Sequence, residues 1–328
     1  MSTRFARARV LALALTAALV ASSPASAADA PAPTAPAPRP KIAQPYLDSL
    51  VGSWDVSVDV GGATMNGTSR WWKALDGTAM VEDFTVGEGD HQFFGFGVVL
   101  ASADGKEVKH WWFDTEGRGE VQVTKGPLRD DGYVAEGEFG GTTMGSTMKK
   151  TADGHEFTMT RGGQVLVKVA YRKAKAAHDW TPVVEARKAK HPVIEALMGD
   201  WTVKGTYTTG DAKVPHEGRT SWRYVVGGAY TLHEYAVTRT GEAPVEALTV
   251  SSLTADGKGE RTWLFGRYFE APHYVTGTFT DDTYVGRCEE SPCGPFTVTL
   301  KLTPEGVKAE QDFPTLKGKV EETYTRAK

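Results

Sequence analysis

Residues 50–60 read Leu-Val-Gly-Ser-Trp-Asp-Val-Ser-Val-Asp-Val, and from Trp54 onward apolar and polar side chains alternate. Successive side chains of a β-strand point to opposite faces of the sheet, so this alternation predicts a strand with one buried face. The same period of two recurs at 156–160 and 297–302. Asp-Gly and Gly-Gly pairs lie between such segments and favour the tight turns of hairpins. The chain is therefore predicted to be all-β and antiparallel.

The opening motif occurs twice in the chain. Pro-Tyr-Leu-Asp-Ser-Leu-Val-Gly-Ser-Trp at 45–54 has a counterpart, Pro-Val-Ile-Glu-Ala-Leu-Met-Gly-Asp-Trp, at 192–201. Ala-Asp-Gly-Lys occurs at both 103–106 and 255–258, in the same order relative to the first pair. The period is too long for a solenoid repeat, so it indicates two whole domains of one fold. About eight strands or more fit each domain, and they must close or stack to protect their edges, which predicts two tandem barrels.

Two segments with distinct compositions precede the repeated domains. Residues 1–27 contain three Arg, an apolar run and a terminal Ala-Ser-Ala, which is the pattern of a cleaved secretory signal peptide. Residues 28–44 are rich in Pro and Ala, as is typical of a disordered spacer. We therefore expect an exported protein, periplasmic or extracellular, with no integral membrane segment after cleavage. The first barrel is predicted at 45–173, the linker at 174–190 and the second barrel at 191–328.

Charge and motifs disfavour several classes of function. The chain has 37 Lys and Arg against 41 Asp and Glu, whereas proteins that bind nucleic acid through phosphate contacts are usually basic. The eight His residues show no metal-ligand spacing, and neither a Gly-x-Ser-x-Gly motif nor a phosphate-binding loop nor a dinucleotide fingerprint is present. We accordingly predict no catalytic residue, no metal site, no cofactor and no nucleic-acid partner.

Leu-x-Gly-x-Trp at 50–54 and 197–201 resembles the Gly-x-Trp signature of lipocalin-like (calycin) β-barrels. More narrowly, the chain resembles a bacterial family of domains of unknown function, number 1579, in two tandem copies. Asp-Gly at 76–77, Gly-Phe-Gly at 95–97 and Trp-Phe-Asp at 112–114 carry this resemblance in the first copy. The resemblance implies two tandem antiparallel lipocalin-like barrels, and it implies no established activity.

The same resemblance implies a structural plug at the closed base of each barrel. In lipocalin-like proteins the signature Trp closes the base, and an Arg late in the last strand stacks on its face as a cation–π contact. The matching residues are Trp54 with Arg172 in the first barrel and Trp201 with Arg326 in the second.

Aromatic residues in the predicted strands are candidates for the barrel interiors. Trp111 and Phe113 are two positions apart on one strand, so their side chains point to one face. If that face is inward, they line either a ligand cavity or a filled core, because small barrels are commonly filled by side chains. The candidate ligand-binding set in both barrels is Trp71, Trp111, Phe113, Trp222, Trp263 and Phe265.

The two Cys residues, Cys288 and Cys293, are close in sequence. In an exported protein this spacing predicts a disulfide that closes a hairpin loop. A redox pair would favour the shorter Cys-x-x-Cys spacing.

Three functions follow from these features. The first is an exported module that binds a small apolar or amphipathic ligand, since apolar concave sites recur at barrel mouths. The second is a structural or protein-interaction envelope protein with filled barrels and no ligand. The third, an enzyme such as a hydrolase or isomerase, requires an acid or His inside a barrel. A cavity favours the first function, a filled interior the second, and a buried polar cluster beside a cavity raises the third.

Overall fold

The computed structural model divides the chain into two compact units, each built around one closed antiparallel barrel. The predicted fold class, all-β with two tandem antiparallel barrels, is confirmed. The predicted signal peptide, nearly all of the spacer and most of the linker lie outside the residues that the structure describes. The described residues are 44–115, 120–178, 191–239, 242–291 and 294–327.

The first barrel is a meander in which each strand pairs with the next along the chain. A short helix, α1 (Pro45–Leu50), precedes it and buries Tyr46, Leu47 and Leu50 in the barrel core. The last strand pairs with the first, which closes the sheet. Its strands are β1 (Gly52–Val60), β2 (Ala63–Ala74), β3 (Ala79–Val86), β4 (Phe93–Ala101), β5 (Glu107–Asp114), β6 (Gln122–Arg129), β7 (Gly132–Phe139), β8 (Thr142–Thr151), β9 (Gly154–Arg161) and β10 (Gln164–Lys173).

The second barrel repeats this plan. Helix α2 (Pro192–Leu197) precedes it and buries Val193, Ile194 and Leu197. The ring again closes between the last strand and the first. Its strands are β11 (Gly199–Thr209), β12 (Ala212–Val225), β13 (Tyr230–Thr238), β14 (Val245–Leu253), β15 (Gly259–Gly266), β16 (His273–Thr280), β17 (Thr283–Cys288), β18 (Phe296–Thr303), β19 (Gly306–Phe313) and β20 (Gly318–Arg326).

The hairpin that joins β1 to β2 illustrates how local sequence produces these connections. Gly61 and Gly62 both have positive φ, at 61° and 90°, a conformation that two-residue hairpin turns require and that glycine adopts without steric strain. The adjoining β1 buries Trp54, Val56 and Val58 on alternate positions, as the period of two predicts.

The closing registers of the two barrels are the same, which gives a residue-by-residue equivalence between them. Val56 pairs with Tyr171 in the first barrel, and Val203 pairs with Tyr324 in the second. Among the described residues, no helix has the length and apolar character needed to cross a membrane.

Candidate functional site

The base of each barrel is fixed by a buried Trp that hydrogen-bonds to the preceding helix. Trp54 Nε1 donates to the Leu50 carbonyl at 2.7 Å, and Trp201 Nε1 donates to the Leu197 carbonyl, also at 2.7 Å. Both indoles are 4% exposed. Each Trp therefore joins the end of a helix to the first strand of its barrel.

A cation covers the Trp ring in both barrels. The Arg326 guanidinium carbon lies 4.0 Å from the centre of the Trp201 ring, as the resemblance implied. Arg326 also donates to the Ala196 carbonyl at 2.7 Å and to the Met198 carbonyl. Its place in the fold is therefore fixed by one ring contact and two hydrogen bonds.

In the first barrel the cation is Lys173, and the assignment of Arg172 is corrected. Lys173 Nζ lies 4.6 Å from the centre of the Trp54 ring and donates to the Val51 carbonyl at 2.9 Å. The register explains the difference, because Trp54 pairs with Lys173 while Arg172 pairs with Asp55. Side chains of adjacent strand residues point to opposite faces, so Arg172 cannot reach the Trp and is exposed.

Of the six aromatic candidates, Trp71 and Trp222 point into the barrels. Trp71 belongs to the buried core of the first barrel, and Trp222 occupies the equivalent register position in the second. Trp222 lines a cavity there.

The remaining four candidates are buried on the outer face of the barrel walls, so their assignment to the interiors is corrected. On β5 the inward aromatic is Trp112, whose ring lies 5.8 Å from that of Phe84 in the barrel core. On β15 Thr262 and Leu264 line the cavity. Because strand side chains alternate, their neighbours point the other way. These outward-facing residues are Trp111, Phe113, Trp263 and Phe265.

The cavity in the second barrel has a volume of about 130 Å³. One wall consists of two neighbouring rows of cross-strand partners on β13 to β16, and most of their side chains are polar. Ser251 Oγ and Thr262 Oγ1 in the first row lie 2.8 Å apart. The first row is Thr231, Ser251, Thr262 and Val275, and the second row is His233, Thr249, Leu264 and His273.

The far side of the ring supplies a mostly apolar wall, to which Gln311 adds a polar side chain. Phe296, Leu300 and Phe313 project from β18 and β19, and Ile194 and Leu197 of α2 close the base. Among the described lining residues there is no Lys or Arg, and Glu260 is the acidic residue that contributes to the lining. The cavity is thus amphipathic and lacks a cation.

His233 is the most tightly fixed polar residue of the lining. Its ring stacks on Trp222, with centroids 3.9 Å apart and planes 2° from parallel. Its Nε2 lies 2.6 Å from Thr220 Oγ1. Burial lowers the pKa of His233 to about 3, so the imidazole is neutral at physiological pH.

A fully buried polar cluster around Glu322 lies behind the cavity wall. His216 Nε2 is 2.7 Å from Glu322 Oε1, and both side chains have no exposed surface. Tyr324 donates to Glu322 Oε2 at 2.8 Å, and Tyr235 donates to Oε1. Burial, followed by the charge of Glu322, raises the pKa of both tyrosines well above the usual value, so both hydroxyls stay protonated and donate. Tyr235 and Tyr324 also line the cavity, which couples the cluster to it.

Gly205 makes room for this cluster. A Cβ atom at that position would lie 2.6 Å from Glu322 Cγ and 2.7 Å from His216 Nε2, close to the Glu321 carbonyl. The equivalent positions of the first barrel hold apolar side chains. The register places Val58 at the position of Gly205, Met65 at that of His216 and Val169 at that of Glu322.

The first barrel contains a different buried acid, Glu82. Ser69 Oγ and Tyr171 Oη donate to its Oε1 at 2.7 and 3.0 Å. Burial raises the pKa of Glu82 to about 7, against the two hydrogen bonds, which favour the carboxylate. No role is predicted from the sequence for Glu82 or Glu322. A signal was present for both, because each acid interrupts a strand on its apolar, inward face.

The position of Glu82 predicts that its own contribution to the stability of the first barrel falls as pH rises from 4.5 to 7. Below pH 4.5 the carboxyl is protonated in both the folded and the unfolded state, so its ionisation does not lower the free energy of unfolding. Between 4.5 and 7 the unfolded state releases the proton first, because the folded pKa is raised. The contribution of Glu82 to the free energy of unfolding should therefore decrease by about 3 kcal/mol over this window and then level off, whereas buried His110, whose pKa is lowered to about 4, contributes in the opposite direction.

The measurement is urea unfolding of the wild type and of Glu82→Gln at several pH values between 4.5 and 8. The wild type should lose stability relative to the variant as pH rises, because Gln has no proton to release. A difference between the two proteins that does not change across this range would show that Glu82 does not titrate in it.

The candidate disulfide stays a prediction. Cys288 is buried at the end of β17, with its sulfur 3.6 Å from the Glu290 carbonyl. Cys293 lies outside the described residues. Within the described ranges no three His, Cys, Asp or Glu side chains come together as a possible metal site.

No protein-family model and no curated protein matches the chain. Two solved structures are similar to it at low identity. One is a protein of unknown function from the DUF3598 family of Nostoc punctiforme PCC 73102, 11% identical, with a TM-score of 0.31 over 87% of this chain and 99% of that one. The other is MucB in complex with MucA(peri), 12% identical, with a TM-score of 0.17 over 85% of this chain and 92% of that one. At these TM-scores neither similarity bears on the function of the chain.

Proposed function

We propose that the second barrel binds one small, uncharged, amphipathic molecule. The observation that carries this proposal is the cavity of about 130 Å³, with hydroxyl and imidazole groups on one wall and aromatic and aliphatic groups on the other. An engineered protein cavity of about 150 Å³ holds one benzene molecule. By that comparison the ligand has about six or seven non-hydrogen atoms.

The charge of the lining argues against an anionic ligand. A buried ion needs a partner of opposite charge, and no Lys or Arg is present among the described lining residues. His233 is neutral and cannot pair with an anion. A long-chain fatty acid fits neither the volume nor the charge of this cavity.

We propose a structural role for the first barrel, which corresponds to the alternative of a filled barrel without ligand. Its interior contains a contiguous cluster of buried side chains from the helix and nearly all of the strands. The aromatic members include Trp71, Phe84, Tyr133 and Tyr171. Such packing fills the interior of a small barrel with side chains.

The proposal also includes export and membership of the lipocalin-like superfamily, with family 1579 as the nearer relative. Export is supported by the signal-peptide pattern at 1–27. The superfamily is supported by the covered Trp at the base of each barrel, Trp54 and Trp201.

Native mass spectrometry of the protein, purified from the exported fraction of its own cells, tests the function. We expect a retained mass of about 80–110 Da that disappears on denaturation, in line with about six or seven non-hydrogen atoms. The same spectrum reports whether residues 1–27 have been removed. A chain that retains them in the exported fraction would contradict the predicted cleavage.

A matched pair of variants locates the ligand. Ala247 lines the cavity on β14, so Ala247→Phe should fill it and remove the retained mass. Ala236 is exposed on the neighbouring strand, so Ala236→Phe adds the same side chain outside the barrel and should keep the mass. A retained mass that is still present in Ala247→Phe would contradict the proposal. So would the absence of binding when a panel of small uncharged aromatic compounds is titrated into the wild type.

A further inference from the structure

We infer that the ligand carries a hydroxyl group that donates a hydrogen bond to His233 Nδ1, so that the cavity selects small alcohols or phenols over hydrocarbons of the same shape. This inference rests on the proposed function and specifies its ligand class. The hydrogen bonds that fix the His233 ring carry this inference.

One tautomer of His233, protonated at Nε2, satisfies both hydrogen-bond contacts of Thr220. A Thr hydroxyl has a single hydrogen. Thr220 Oγ1 donates that hydrogen to the Glu234 carbonyl at 2.9 Å. The contact of 2.6 Å between Thr220 Oγ1 and His233 Nε2 then requires a hydrogen on Nε2. In the neutral ring the other nitrogen, Nδ1, therefore has a lone pair and is an acceptor.

The acceptor nitrogen is held in place and is available to a ligand. Stacking on Trp222 and the bond to Thr220 fix the plane and the rotation of the ring. Among the described residues, no donor reaches His233 Nδ1, and the ring is partly exposed where it lines the cavity. A donor on the ligand satisfies this atom, whereas a hydrocarbon leaves it without a partner in an apolar site.

His273, on the same row of the wall, has its acceptor nitrogen turned away from the cavity. Burial lowers the pKa of His273, against a smaller opposite effect of the Glu290 carbonyl, which accepts a hydrogen bond from the ring. Its Nε2 is buried and has no partner among the described residues. The bond to Glu290 therefore involves Nδ1, and Nε2 has the lone pair. His233 Nδ1 is therefore the acceptor of the wall that a ligand in the cavity meets.

Isothermal titration calorimetry with phenol and toluene tests this inference on the mature full chain. The two probes have nearly the same shape, and only phenol donates a hydrogen bond. Phenol should bind the wild type about tenfold more tightly than toluene, the ratio expected for one buried hydrogen bond that the hydrocarbon leaves unmade. Anisole, which accepts but does not donate, should behave like toluene.

Two variants of His233 separate the hydrogen bond from packing. His233→Phe keeps an aromatic ring against Trp222 and removes the acceptor. It should therefore weaken the binding of phenol about tenfold and leave the affinity for toluene unchanged. His233→Gln restores an acceptor oxygen and should recover part of the preference for phenol. Circular dichroism checks that each variant is folded, and ¹⁵N spectra of the labelled histidines report the tautomer. The Nδ1 signal of His233 should be that of an unprotonated nitrogen and should move when phenol binds.

Equal binding of phenol and toluene by the wild type, or a His233 ring with its hydrogen on Nδ1, would overturn the inference while leaving the ligand-binding proposal intact. Loss of both probes on His233→Phe in a folded protein would also overturn it, because the ring would then act through packing. If neither probe binds the wild type and no exported ligand is found, the proposed function itself fails.

Discussion

Replacing Glu322 with Ala is expected to lower the free energy of unfolding of the second barrel by about 3–5 kcal/mol. The carboxylate accepts hydrogen bonds from His216, Tyr235 and Tyr324, and neither it nor His216 has exposed surface. The variant leaves three buried polar groups without this acceptor, and water cannot replace it without entering the core. Urea unfolding followed by Trp fluorescence measures the loss.

A triple variant provides the control for this prediction. Met65 and Phe84 of the first barrel stand at the positions of His216 and Tyr235, so apolar side chains fit this wall. His216→Met, Tyr235→Phe and Glu322→Met together remove the polar partners while keeping the volume of the cluster. This variant should recover most of the loss, with about 1 kcal/mol remaining because Tyr324 keeps a buried hydroxyl.

Two results would contradict this account of the cluster. One is a loss of less than about 1 kcal/mol in Glu322→Ala, which would indicate that the three donors find other partners. The other is a triple variant no more stable than Glu322→Ala, which would indicate that the charge itself stabilises the barrel.

The fold was predictable from the sequence because it depends on local signals. The alternation in β1, the Gly61-Gly62 turn and the repeated Leu-x-Gly-x-Trp each specify a strand, a hairpin or a domain start within a few residues. The ring order then follows from hairpin after hairpin. Sequence reasoning gave at least eight strands, and the structure has ten in each described barrel.

The wrong assignments in the candidate site have a common physical cause: the sequence does not show which of two adjacent strand residues points into the barrel. Trp111, Trp112 and Phe113 are consecutive and all aromatic, so alternation cannot say which of them points inward. The same ambiguity applies to Arg172 and Lys173. Both are cationic, and only the pairing register with Trp54 shows that Lys173 is the one that covers the ring. A shift of one residue turns every side chain to the other face.

The polar clusters were not predictable because they join residues that are distant in sequence. Glu82 and Tyr171 are 89 positions apart, and His216 and Glu322 are 106 apart. The registers also show that the two barrels have diverged at these positions. The first has Glu82 with Ser69 where the second has His233 with Thr220, the pair that fixes the acceptor nitrogen. One fold thus presents an acid in one barrel and a neutral imidazole in the other.

Replacing Trp201 with Ala is expected to cost the second barrel about 3–5 kcal/mol of unfolding free energy. The change leaves a cavity at the base, removes the bond from the indole to Leu197 and leaves Arg326 without its aromatic partner. Trp54→Ala should have an effect of the same size in the first barrel, because its burial and its bond to Leu50 are the same.

The cation that covers the Trp ring is expected to contribute differently to the stability of the two barrels. Arg326→Ala removes a close ring contact and two hydrogen bonds, whereas Lys173→Ala removes a longer ring contact and one. Both cations are exposed, so their effects should be smaller than those of the Trp variants: about 1–2 kcal/mol for Arg326 and less than about 1 kcal/mol for Lys173. Differential scanning calorimetry and urea unfolding of the four single variants give the comparison. If Trp201→Ala left the free energy of unfolding unchanged, Trp201 would not be a structural plug of the second barrel. An Arg172→Ala variant as destabilising as Lys173→Ala would show that the register at the first base is not the one described, because Arg172 points away from Trp54.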